Sequence, residues 1–212
     1  MDFEVKVTPK VLIPRPETEI LVEEAVKRLN KLKAKNQEPT ALDIGTGSGV
    51  IPIALAKLVP NIKIVSIDLK KEAINLASEN AKKCAVNQKI CFKACDLFSE
   101  KVEEIFKENR FDLIISNPPY IKDSEFAELE PEIYLHEPKI AHCGSIENKK
   151  GLVYHERIIK LAKKYFETGV LALEIDPPIV DSLKTLLKKE DLNNYEIIKD
   201  YAKLERCLFV YF

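Results

Sequence analysis

Apolar residues in this chain follow two alternating rhythms. Short apolar runs at 41–44, 62–67, 89–94, 111–116 and 170–175 have the length of strands buried on both faces. Between them, helical spacing of apolar positions predicts helices over about 49–58, 70–83, 101–107, 152–166 and 179–188. Strand and helix taking turns in this way predict an α/β fold, with a mostly parallel sheet, right-handed crossovers and helices on both faces.

The two ends depart from that rhythm. Residues 3–7 and 11–13 read as extended pieces around Thr8-Pro9-Lys10, a small N-terminal β-hairpin that leads into Pro14-Arg15-Pro16. A helix follows, capped by Thr18, with Ile20, Leu21, Ala25, Val26 and Leu29 at helical spacing, and the polar stretch 30–40 ends it. At the other end, 195–199 and 207–212 are strand-like and too close together for a crossover helix, which predicts an antiparallel C-terminal hairpin. The stretch 121–150 is too long for a passive connection and reads as a lid or substrate loop. With no repeat or interdomain linker, residues 1–212 read as one domain, with the hairpin and leading helix in 1–39 and the α/β core in 40–212.

Composition narrows the chemistry. At 212 residues, 46% of them hydrophobic, the chain can bury a core without disulfides or metal. Lys+Arg at 33 against Asp+Glu at 34 gives no global attraction to a polyanion, so no direct nucleic-acid contact is expected. Five cysteines without a CxxC pair, and only three histidines, make a poor zinc inventory and fit reduced thiols. Cys91 and Cys95, at even spacing, should share one side of a strand as structural residues. His136, His142 and His155 are too scattered for a triad and read as surface or packing residues. Neither a signal-like leader nor an apolar run of membrane-spanning length is present in this sequence, so a soluble, cytoplasmic protein is expected, with no membrane partner.

Two motifs carry candidate chemistry. Leu42-Asp43-Ile44-Gly45-Thr46-Gly47-Ser48-Gly49 closes a strand and opens a helix. Glycines at alternate positions admit a ligand where side chains would collide, so a nucleotide-type cofactor site competes with a plain glycine-rich turn. The dinucleotide fingerprint places its third glycine one position later than Gly49. Asp68 ends the next strand, where its carboxylate can accept from the ribose hydroxyls of an adenosyl or a dinucleotide cofactor alike. The second motif is Asn117-Pro118-Pro119-Tyr120, after the strand 111–116. The two prolines fix the backbone and remove two N–H donors, so that the Asn117 side chain, the Pro118 carbonyl and the Tyr120 ring suit a planar NH2 group. Such a nitrogen is a weak nucleophile, and acceptors on both of its protons favour the charge it develops on methyl transfer. A mere proline-rich turn is the alternative.

Together these motifs resemble the class I methyltransferases, and within them the release-factor glutamine methyltransferases of the HemK/PrmC type. The resemblance runs from about Phe3 to the C-terminus. It rests on Val11-Leu12-Ile13-Pro14-Arg15-Pro16-Glu17-Thr18-Glu19, the D-x-G-x-G-x-G pattern from Asp43, Asn117-Pro118-Pro119-Tyr120, Glu137-Pro138 and Leu173-Glu174-Ile175. It implies a Rossmann-like fold and S-adenosyl-L-methionine as cofactor, held by Asp43, Gly45, Thr46, Gly47, Gly49, Asp68, Asp96, Leu97 and Asn117. Asp43 would reach the ammonium side of that cofactor, and Asp96 and Leu97 its adenine. It implies catalysis at Asn117, Pro118, Pro119 and Tyr120, and a glutamine amide in the GGQ motif of a peptide-chain release factor as substrate, with Arg15 and Glu137 at the substrate mouth. Arg15 pairing with Glu17 on the surface is the plainer reading of that residue. The acid-rich run Glu125, Glu128, Glu130, Glu132 and Glu137 is either a solvated face or an attraction for a basic substrate loop.

Members of that family usually carry a helical domain ahead of the first motif, and this sequence begins almost on that motif. Residues 141–151 are longer and more polar than the family's glycine-rich run, and Asp176-Pro177-Pro178 replaces the glycine expected after Leu-Glu-Ile. An adenine or guanine amino methyltransferase of nucleic acids is the competing enzyme, because a flipped base offers the same planar NH2. A non-catalytic cofactor-binding subunit is the competing non-enzyme.

Overall fold

The five apolar runs become parallel strands: β1 (Thr40–Ile44), β2 (Lys63–Asp68), β3 (Ile90–Ala94), β4 (Leu113–Ser116) and β5 (Val170–Glu174). The expected tail hairpin forms as β6 (Tyr195–Lys199) and β7 (Glu205–Tyr211), with β7 antiparallel to both β5 and β6. One seven-stranded sheet results, in the order β3-β2-β1-β4-β5-β7-β6. This computed structural model describes residues 3–32 and 38–212, so part of the polar stretch expected to end the first helix lies outside the described residues.

Alternation along each strand sorts side chains onto two cores. Leu42, Ile44, Ile114, Leu171, Leu173, Leu208 and Val210 face α4 (Glu100–Glu108), α7 (Val153–Tyr165) and α8 (Val180–Lys189). Ala41, Leu113, Ile115, Val170, Ala172 and Phe209 face α1 (Pro16–Leu32), α2 (Val50–Leu58) and Ala81 of α3 (Lys71–Lys83). The central strands are mostly apolar because both faces are covered: every residue of β4 and β5 is buried, including Ser116 and Glu174 at their carboxyl ends. The Arg28 guanidinium of α1 lies 4.0 Å over the Phe209 ring and pairs with Glu24 and Glu196, fixing α1 against the hairpin.

Several expectations are corrected. Residues 3–13 form no strand: Val11 N–H closes a turn on the Thr8 carbonyl, 3.1 Å away. Asn80 of α3 takes the place of a partner strand, accepting from Lys6 N–H and donating to the Lys6 carbonyl, each at 2.9 Å. Thr18 does not cap α1, which starts at Pro16; it lies inside the first turn with its hydroxyl turned into the protein. The stretch 121–150, read as a lid or substrate loop, is not irregular throughout: it carries one turn of 3-10 helix at Phe126–Glu128 and the short helices α5 (Pro131–His136) and α6 (Lys139–Cys143) between irregular segments. Cys91 is exposed while Cys95 is buried, because β3 ends at Ala94 and the alternation stops before Cys95. Among the described residues, no helix is long and apolar enough to cross a membrane.

Candidate active site

The chain leaves β1 for β2 on one side and β4 for β5 on the other, so a crevice opens at the carboxyl ends of β1 and β4. Their register sets Ile44 level with Ser116, and the Ser116 hydroxyl donates to the Ile44 carbonyl at 2.7 Å. The glycine loop after β1 and the Asn117–Tyr120 turn after β4 therefore face each other across one cavity. Gly45, Thr46, Gly47, Asp68, Asp96, Leu97, Asn117, Pro118 and Pro119 all line it.

The loop is held from below by backbone. Gly45 and Thr46 N–H both donate to the Ile67 carbonyl, at 2.8 and 3.1 Å. Gly47, at φ +53°, has nothing within 4 Å of where a Cβ would stand, so its position stays open to the cavity. Gly49 serves packing: at φ +85°, an added Cβ would lie 2.9 Å from Cβ of Ala77 on α3. Asp68 Oδ2 accepts from Gly47 N–H at 3.0 Å and Oδ1 from Lys70 N–H at 2.9 Å, while burial raises its pKa above the ordinary carboxylate value. Asp96 Oδ1 accepts from Phe98 N–H at 2.9 Å, and Leu97 is buried beside it. A loop with open backbone faced by two carboxylates fits the aminoacyl, ribose and amine groups of an adenosyl cofactor.

Asp43 behaves differently from its expected role. It is fully buried and does not line the cavity, so it meets the loop and not a ligand. Ser66 Oγ donates to Asp43 Oδ2 at 2.7 Å and lies 2.6 Å from Thr46 Oγ1, so the carboxylate and the two hydroxyls form one buried cluster. Asp43 Oδ1 has no hydrogen-bond partner, and burial pushes the carboxyl pKa up to about 7.

In the tetrapeptide, Asn117 Nδ2 donates to Thr18 Oγ1 at 3.3 Å. The Pro119 carbonyl is taken by Nδ2 of buried Asn148, at 3.4 Å, which leaves the Pro118 carbonyl as the backbone candidate. Tyr120 does not line the cavity. Its ring packs on the core, and burial, with Glu174 and Asp176 nearby, holds the phenol above its ordinary pKa. Arg15 pairs with Glu137 at 2.5 Å and not with Glu17, and Glu137 also meets His142 Nε2 at 3.0 Å. Neither Arg15 nor Glu137 lines the cavity; they tie the segment before α1 to the loop after β4. His142 thus joins a polar cluster and has its pKa lowered by burial, His136 is exposed, and His155 is buried and pushed down to about 4.

Sequence reasoning missed Thr18 and Glu174, whose side chains bond at 2.7 Å behind Asn117, and Tyr154, which lines the cavity. A carboxylate set between Leu173 and Ile175 at the end of an apolar run was the available signal, since such a group must find partners when buried. Among the described residues, no cluster of His, Cys, Asp and Glu suits a metal ion.

A methyltransferase-domain family model matches residues 35–151. A release factor glutamine methyltransferase of Thermodesulfovibrio yellowstonii is 36% identical over 99% of this chain and 71% of its own length. Those of Chlorobaculum tepidum and Fusobacterium nucleatum are 34% and 37% identical, over 67% and 54% of their lengths. The N-terminal domain of human METTL16, solved in complex with SAH, superposes with a TM-score of 0.66 at 16% identity, over 98% of this chain and 75% of that one. At that identity the likeness concerns the fold, which is the Rossmann-like methyltransferase fold that the resemblance implies, built on the mostly parallel α/β sheet predicted by strand and helix alternation. Identity of this order across nearly the whole sequence places the chain in the release factor glutamine methyltransferase family.

Proposed function

We propose that this protein transfers a methyl group from S-adenosyl-L-methionine to the side-chain amide nitrogen of the glutamine in the GGQ motif of a peptide-chain release factor. The observation that carries the reading is the meeting of the glycine loop and Asn117-Pro118 across the β1/β4 crevice, in a chain whose relatives bear that activity as their name. The bound cofactor supplies an electrophilic methyl group on sulfonium sulfur. Asp68 is assigned to the ribose, Asp96 and Leu97 to the adenine, and Gly45, Thr46 and Gly47 to the loop that lets the cofactor approach, while Gly49 seats that loop against α3.

Asn117 Oδ1 and the Pro118 carbonyl are the acceptors for the two amide protons, and Pro119 holds the turn rigid. Both hydrogen bonds strengthen as nitrogen becomes positive, which lowers the barrier without a strong base. The N–C bond forms as the S–C bond breaks, and nitrogen then loses a proton to water. Tyr120 supports the turn from the core side, and Arg15 with Glu137 braces the loop beside the mouth. Exposed Glu128, Glu130 and Glu132 suit a basic substrate segment. We read residues 1–212 as one catalytic unit acting in the cytoplasm, without direct nucleic-acid or membrane partners.

The test is mass spectrometry of release factors incubated with this protein and S-adenosyl-L-methionine. A single methyl on the GGQ glutamine is expected. Methyl transfer to DNA or RNA with none to the release factor would establish the competing nucleic-acid activity instead.

A further inference from the structure

We propose that Thr18 and Glu174 are positioning residues that fix which end of the Asn117 side-chain amide faces the substrate, presenting Oδ1 and withholding Nδ2. The inference deepens the functional reading above and rests on it for the identity of the substrate. An asparagine amide has two ends of nearly equal size, one accepting and one donating, so shape alone does not choose between them. A weak amide nucleophile needs the accepting end.

Three elements supply the choice. Thr18 stands in the first turn of α1, Asn117 follows β4, and Glu174 ends β5, whose register sets Leu173 level with Ser116. The Thr18 hydroxyl donates to Glu174 Oε2 at 2.7 Å, and Asn117 Nδ2 lies 3.3 Å from Thr18 Oγ1. A hydroxyl has one proton, and here it is committed to the carboxylate. Thr18 therefore offers Asn117 only lone pairs, which the NH2 end alone can use. The Glu174 carboxylate, whose charged form Asn117 favours, makes the same demand. A reversed amide would set Oδ1 against two acceptors, with Thr18 3% and Glu174 2% exposed, which is costly for buried polar groups.

The arrangement holds while Glu174 is ionised. A protonated Glu174 can donate to Thr18, which frees the Thr18 proton for Asn117 Oδ1 and removes the preference. Burial and Glu17 of α1 push Glu174 up to about 7, while Thr18, Arg206 of β7 and Asn117 pull it down. Tyr120 and Asp176 flank the site, and Cys207 of β7 has its own thiol raised by burial and by this carboxylate. His155 of α7 donates from Nε2 to the Glu174 backbone carbonyl at 2.9 Å and stays neutral. The ionised, orienting form is lost as pH falls through about 7, so turnover should fall with it.

The experiment compares Thr18→Val, Thr18→Ser and Glu174→Gln with the parent at saturating cofactor. It measures turnover on a release-factor substrate, S-adenosylhomocysteine binding, and hydrogen exchange of the Asn117 side-chain amide by NMR, assigned through Asn117→Ala. Thr18→Val and Glu174→Gln should lower kcat by about tenfold or more, with KM and S-adenosylhomocysteine affinity within about twofold of the parent. Thr18→Ser should restore kcat, and Glu174→Gln should abolish the acidic fall in the kcat profile. In the parent, exchange of the Asn117 amide should be at least about tenfold slower than in Thr18→Val. Thr18→Val turning over like the parent, Thr18→Ser as impaired as Thr18→Val, or an equally unprotected amide in both overturns the proposal. Should Glu174→Gln fail to fold, the near-isosteric Thr18 pair decides alone. A parent that methylates no release factor sinks the functional reading, while the exchange measurement still tests the orientation.

Discussion

At the scale of the residue, Asn117 and Asp68 occupy different steps of the chemistry, and their variants should separate them. Asn117 is assigned to the reacting nitrogen, so Asn117→Ala should lower turnover by about a hundredfold or more while cofactor affinity changes little. Comparing S-adenosylhomocysteine binding and thermal stability on the same preparation excludes trivial loss of the turn; a folded variant near parental turnover would refute the role. Asp68 is assigned to the cofactor, and Asp68→Ala should weaken S-adenosylhomocysteine binding by about 1.5–3 kcal/mol in calorimetry. Because Asp68 also holds Gly47 N–H and Lys70 N–H, Asp68→Asn, which retains one acceptor, should fall between the parent and the alanine variant. An unchanged dissociation constant in Asp68→Ala would leave the carboxylate as a strand terminator. Glycines, Asp68 and Asn117 were legible in sequence because local backbone chemistry singles them out. Thr18, Glu174 and the true partner of Arg15 were not, since their meaning lies in contacts 156 and 122 residues apart in the chain.

At the scale of the element, alternation told strands from helices wherever both faces of the sheet are covered, because apolar burial then dominates every position. It failed at residues 3–13, whose extended pieces carry a strand-like pattern yet bond to the side chain of Asn80. Exposed and half-buried backbone leaves no periodic record of who satisfies it. The junction of α2 and α3 is more informative, since a glycine there was readable but its reason was not. Gly49 sits at the start of α2 in the left-handed region, against Ala77 of α3. Gly49→Ala should cost about 1–2 kcal/mol from the backbone alone, and more from the contact with Ala77. Adding Ala77→Gly should return the part due to the Ala77 Cβ, and leave the backbone part and the 3.1 Å approach to the Ala77 Cα. Urea denaturation of the four proteins in that cycle measures both, and no coupling between the two sites would show that the helices relax apart freely.

At the scale of the whole molecule, the alternating pattern announced a sheet with crossovers, while the packing of α1 across β5 and β7 had no sequence signature beyond its own apolar face. That packing buries Thr18 and Glu174, and it makes protonation a property of the fold. Asp43 and Glu174, with ordinary values of 3.8 and 4.5, are both raised to about 7 by burial, and His155 is lowered from 6.5 to about 4. For Asp43, the folded state holds a proton between about pH 4 and 7 that the unfolded chain has already released, so its contribution to stability falls as pH rises through that window. Glu174 acts in the same sense and His155 in the opposite one, so the net slope of the parent does not isolate any of them. A difference does. Asp43→Asn keeps the shape of the protonated carboxyl and cannot ionise, so its stability relative to the parent should climb between about pH 5 and pH 7 and level off above. Urea denaturation across about pH 5–8 measures it. Parallel curves for the two proteins would mean that Asp43 is ionised in the folded state throughout, and that the Ser66 and Thr46 hydroxyls stabilise its charge more than burial opposes it.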